Sequence, residues 1–195
     1  MSAEENYEGV KERLGNVEWE KGEREIVYEE PRKGGRKRDD GVDVKWQVTF
    51  PAVSENGYQR GELPFFCHDV TDRGLRVPFS EESVRHPSQV VGVKSLGVYV
   101  PGERERTLGK GYEAIIGKEG DGGRFETEPL KGEEGNVGFL VREPEEEKQR
   151  KLMEKRGGLL LGDLVFYKEK GSESTAGSTR IDEESSDVEM GGWYL

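Results

Sequence analysis

A chain of 195 residues suits one ordinary domain with or without tails, and its 31% hydrophobic and 36% charged residues, with 28 glycines, leave only part of it able to form a core. A formal charge of −11 argues against nucleic acid, whose phosphates reward lysine and arginine, and against anionic membrane surfaces. One cysteine allows no internal disulfide, no run nears the roughly 20 apolar residues of a membrane helix, and the opening MSAEENYEGVKERL lacks an apolar signal core, so a cytoplasmic protein is expected.

Residues 6 to 14, NYEGVKERL, predict a short helix with Tyr7, Val10 and Leu14 at spacings of three and four. EIVYEE (25 to 30) reads as a strand, and GGRKRDDG (34 to 41) as a turn. VDVKWQVTF (42 to 50) is the cleanest alternating stretch: Val42, Val44, Trp46, Val48 and Phe50 share one face, and Pro51 ends the run. The loop AVSENGYQRGE then leads into LPFFCHDVTDRGLRVP (63 to 78), a strand with an entry loop.

Further on, VVGVKSLGVYV (90 to 100) predicts a strand closed by Pro101-Gly102, and TLGKGYEAIIGK (107 to 118) a helix with Leu108, Tyr112, Ile115 and Ile116 inward. RFETEPL and NVGFLVREP alternate as strands. PEEEKQRKLMEKRGG (144 to 158) predicts a helix with proline at its first position, glutamates in its first turn and glycine as its stop. LLLGDLVFYKEK (159 to 170) is the last strand. From Gly171 the composition turns to Ser, Thr, Gly and acid, a tail expected to be disordered and acidic, with GGWYL as an inert end in preference to a docking peptide.

The order from 88 to 170 is thus strand, helix, strand, strand, helical connection, strand: one βαβββ unit in an α+β chain. Alone, such a unit leaves a sheet face and an edge unpaired, so a partner is expected, and a homodimer that completes the sheet would supply it.

The chemistry candidates centre on Cys67-His68-Asp69. On a strand Cys67 and His68 point to opposite faces, which excludes a shared metal or a nucleophile–base pair. Phe66, His68 and Val70 share one face; Phe65, Cys67 and Asp69 share the other. His68 and His86, the only histidines, could give two metal ligands or a general base, though structural hydrogen bonding is the preferred reading for His68. Arg73 and Arg76 form a fork suited to a carboxylate, set against the plainer reading that they pair with Asp69, Asp72 or nearby glutamates. HPS (86 to 88) is a loop or a turn into the next strand. LGKGYEAIIGKEGDGG contains no phosphate-loop spacing, and the charged 144–158 helix reads as a solvated face.

GGRKRDDGVDVKWQVTFP, GELPFFCHDVTDRGLRVP and RHPSQVVGVKSLGVYVPG, in this order, resemble the glyoxalase-like domain proteins of the vicinal-oxygen-chelate superfamily. The resemblance runs from about residue 6 to 170, and PFFCHDVT is its most specific part. It implies βαβββ modules curling into a curved mixed sheet around a small-molecule pocket, with a divalent metal as an optional cofactor. On this reading residues 1–41 are a linking helix, strand and turn, and 42–170 the glyoxalase-like domain, its second module mainly 88–170. Residues 171–195 are the tail.

Two departures limit what carries over. The family's earlier module would precede NYEGVKERL, so the fold is expected to be incomplete. The position of the family's metal-binding histidine falls on Ser95, so no metal ligand transfers. The resemblance then implies His68 and His86 as catalytic candidates, with Phe66, Asp69, Arg73 and Arg76 as substrate-binding ones. Three readings of function stay open: a lyase or isomerase acting on an oxygenated metabolite, a metal-free small-molecule binder, and a half-domain that pairs with another chain.

Overall fold

A computed structural model describes the chain except residues 53–56, 79, 81, 83–84, 86, 88–89, 128–135, 169–179, 182–192 and 195. It divides into two compact units, Met1–Val84 and Arg85–Leu195.

The first unit opens with helix α1 (Ala3–Gly15), which starts three residues earlier than its apolar spacing suggests. The cause is a capping box. Ser2 Oγ accepts the Glu5 N–H at 3.1 Å, and the Glu5 carboxylate accepts the Ser2 N–H at 2.7 Å. Val10 and Leu14 are buried, and the Lys11 ammonium sits over the Tyr7 ring.

The strand expected at 25–30 does not form. Tyr28 makes only an isolated bridge to Pro51, flanked by Glu29 N–H to Phe50 O and Ala52 N–H to Val27 O. Pro51 has no N–H with which to carry a ladder further. The first strand is instead β1 (Arg32–Lys37), built from residues expected to start a turn; the turn itself falls at 38–41, where the Gly41 N–H donates to Arg38 O. β1 pairs antiparallel with β2 (Asp43–Thr49), which pairs antiparallel with β3 (Phe66–Asp69), giving the order β1-β2-β3.

Register assigns the two faces of this sheet. Gln47, Thr49, Phe66 and His68 lie on one, and α1 covers it: Gln47 Nε2 donates to Glu4 at 2.6 Å. Val44, Trp46, Val48, Cys67 and Asp69 lie on the other. Beyond β3 the chain stays tied to β2, Val70 N–H donating to Lys45 O and Lys45 N–H to Thr71 Oγ1. It then enters α2 (Arg73–Arg76), a single turn capped by the Asp72 carboxylate.

The second unit contains β4 (Val90–Tyr99), α3 (Gly102–Ile116), β5 (Arg124–Glu126), β6 (Gly138–Arg142), α4 (Glu147–Lys155) and β7 (Leu160–Lys168). Its strands lie in the order β5-β6-β4-β7, with β4 parallel to β6 and antiparallel to β7. This is the βαβββ unit read from the sequence, with a helix in the last connection. Together the elements make an α+β chain with a mixed, unclosed sheet in this unit and an antiparallel one in the first.

Two helix boundaries differ from expectation. α3 starts at Gly102, five residues before 107, because Pro101 forms its N-cap and Glu103 and Glu105 suit the positive end of the helix. In α4, Pro144 stands ahead of the Glu146 N-cap and is not the first helical residue. Leu108, Tyr112 and Ile115 of α3 are buried, and Tyr112 packs on Phe125 and Phe139 at ring separations of 5.6 and 6.1 Å. Tyr99 joins Leu152, Met153 and Leu160 in a separate buried cluster. Of residues 171–195, only β8 (Arg180–Ile181) and β9 (Trp193–Tyr194) are described; β9 pairs parallel with β7, and β8 antiparallel with β9.

Candidate functional site

The face of the first unit's sheet turned away from α1 carries the polar and aromatic side chains that can meet a ligand. At its centre Trp46 lies over Gly34 of the neighbouring strand. A Cβ there would stand 2.5 Å from Trp46 Nε1, so only glycine permits this overlap.

At one end of this face Asp69 is locked in an ion-pair cluster. Arg76 donates to both of its carboxylate oxygens, through Nε to one and Nη2 to the other (3.0 Å), and Arg73 donates to it at 3.2 Å. The Arg76 hydrogen bond holds the Asp69 carboxyl below its usual range, with partial burial opposing and Arg73 adding a smaller push. The same contact raises Arg76 further. Arg38 steadies the following turn by donating to Leu75 O. The arginine fork is therefore filled from within: an internal carboxylate occupies the place a ligand carboxylate would take.

At the other end a cleft of about 460 Å³ opens between Glu29, Arg32, Phe50, Pro51, Arg60, Gly61, Leu63 and Phe65. Phe50 and Phe65 stack at 5.5 Å and an interplanar angle of 28° while remaining 40% and 59% exposed. Adjacent phenylalanines thus go separate ways, since Phe66 turns to the helix-covered side and meets Tyr28 at 5.6 Å. The Tyr28 hydroxyl donates to Pro64 O at 2.7 Å, which fixes the chain just before the pair.

The loop carrying Arg60 is equally defined. Glu62 is fully buried and accepts the Gln59 N–H, while Gly61 takes φ +95°, a conformation other residues rarely adopt. Within the lining Arg32 pairs with Glu29 at 2.6 Å, and Arg60 has no ion pair among the described residues. Among the described lining residues, two guanidinium groups thus face one carboxylate.

The residues singled out in the sequence are not assembled into one wall. Asp69, Arg73 and Arg76 come together, but with one another. Phe66 and His68 sit on the opposite face beneath α1, where His68 Nε2 is buried without a hydrogen-bond partner among the described residues. His86 lies outside the described residues. Phe50, Phe65, Arg32 and Arg60 were missed, although alternation offered a signal: Phe65 shares the Cys67–Asp69 face, and Phe50 ends the β2 stripe.

The side-chain donors among the described residues do not fit a divalent metal. Among the described residues no three His, Cys, Asp or Glu side chains cluster closely enough to hold one. Ser95, the position on which the resemblance set the family's histidine, lies in β4 opposite Gly138. No described helix is long and apolar enough to cross a membrane.

The chain belongs to the glyoxalase-like domain family: the model of the "Glyoxalase-like domain" matches residues 4–114, from α1 to near the end of α3. No curated protein matches it. Among solved structures, a hypothetical protein from Staphylococcus aureus is similar at a TM-score of 0.49 and 13% identity, over 96% of this chain and 60% of that one. The chain therefore spans about three-fifths of that protein's length.

Proposed function

We propose that this glyoxalase-like chain binds a small oxygenated metabolite without a metal, on the face of the β1-β2-β3 sheet that α1 leaves open. The open Phe50–Phe65 stack at the cleft carries the reading. Two exposed aromatic rings that hold each other in place form a preset apolar platform, and about 460 Å³ lies within the ordinary range of small-ligand sites. Further support comes from the donor set, which suits hydrogen bonding to a ligand better than chelation. Arg73 and Arg76 serve as scaffold on this reading, because Asp69 already claims them.

A thermal-shift panel of small oxygenated metabolites, run with and without EDTA, tests the proposal. At least one compound should raise the unfolding midpoint equally in both conditions, and Phe65→Ser should remove that rise. Loss of the stabilisation on adding EDTA would overturn it, as would full stabilisation of the Phe65→Ser protein.

A further inference from the structure

We infer that the ligand class of this cleft is a flat aromatic carboxylate, with the ring against Phe50 and Phe65 and the carboxylate on Arg60; the inference rests on the binding reading above. Three observations meet at one place. The stacked rings present flat apolar surface, which favours a planar partner over a branched aliphatic one through offset stacking. Arg60 lines the same cleft and has no ion pair among the described residues, whereas Arg32 is already matched by Glu29. A guanidinium presents paired N–H groups that suit a carboxylate, and it is shed from water more readily than an ammonium.

The position of Arg60 is built into the backbone. Buried Glu62 ties the loop to the Gln59 N–H, and Gly61 supplies the left-handed turn that follows Arg60. With the backbone at Arg60 held in this way, the loop itself adds little ordering cost on binding. Phosphate esters fit less well, because a doubly charged group would meet the Glu29 carboxylate with only one unmatched guanidinium.

The probes are 2-naphthoate and 2-naphthylmethanol, which share a ring system and differ in charge, titrated calorimetrically into the full chain. The expected result is binding of 2-naphthoate at least tenfold tighter than of the alcohol, with that margin lost in Arg60→Gln and both ligands weakened in Phe65→Ser. Both substituted side chains are exposed, and circular dichroism with thermal unfolding checks that each variant keeps its fold. Equal binding of acid and alcohol, unaffected by Arg60→Gln yet lost in Phe65→Ser, would overturn the ligand class and leave the cleft as the binding site. Binding of either probe that ignores Phe65→Ser, or no binding of either, would overturn the class as well. The metabolite panel then decides separately whether the cleft binds anything.

Discussion

Asp69 is the side chain around which the end of β3 is organised. It is 13% exposed and receives hydrogen bonds from Arg73 and Arg76, so its charged form is favoured in the folded chain. Because its folded pKa lies below the unfolded value of about 3.9, the resulting stability is fully present above that value. It is lost as pH falls through the folded pKa. Asp69→Asn should therefore cost about 1–3 kcal/mol at pH 7, the usual loss when charge-assisted bonds are removed. The gap between wild type and variant should shrink below about pH 4. Urea unfolding at pH 7 and pH 3.5 measures it, and an unchanged gap would refute the assignment. The pairing of both arginines with Asp69 was among the readings open to the sequence. Alternation already set Phe65 and Phe66 on opposite faces; which of the two faces α1 would cover was hidden, because no strand pattern names the element that packs on it.

At the scale of elements, the agreement between β1 and β2 depends on one missing side chain. Gly34 sits directly under Trp46, and the GGR segment, which suggested a turn, is strand with its glycine leaving that space to the indole. Gly34→Ala should displace the indole and destabilise the first unit by about 1–3 kcal/mol, in the range of other overpacking changes. Denaturant unfolding followed by far-ultraviolet circular dichroism reads the loss; a variant as stable as wild type would mean the indole moves aside freely. β2 was legible because its apolar residues alternate without a break. The false strand at 25–30 was not, since Ile26, Val27 and Tyr28 are strand-prone by type while Tyr28 meets Pro51, which has no N–H to extend a ladder. Helix starts were displaced for a related reason: α1 begins at a capping box and α3 behind a proline, signals that sit outside the apolar stretch.

Over the whole molecule, the βαβββ order of the second unit was legible because each change of hydrophobic period is punctuated by glycine or proline. What lies along its β7 edge was not, for nothing in the period of a strand says what pairs with its free side. The sequence alone suggested a partner for an unpaired edge without saying which; along β7, β9 of the same chain pairs in parallel with Leu164 and Val165. Those are two positions in a nine-residue strand, so β9 masks the middle of the edge and leaves Leu161, which is 41% exposed, outside its cover. An open strand edge invites pairing with another copy. Removal of residues 171–195 should leave the βαβββ unit folded, since β7 keeps its antiparallel pairing to β4. The same truncation also removes acidic residues that keep copies apart, so self-association should rise with concentration more steeply than in the full chain. Light scattering coupled to size exclusion, at several concentrations and at low and high salt, distinguishes the causes. Association of the truncated chain that persists at both salt levels points to the uncovered edge, and a mass identical to that of the full chain would show that β9 guards nothing.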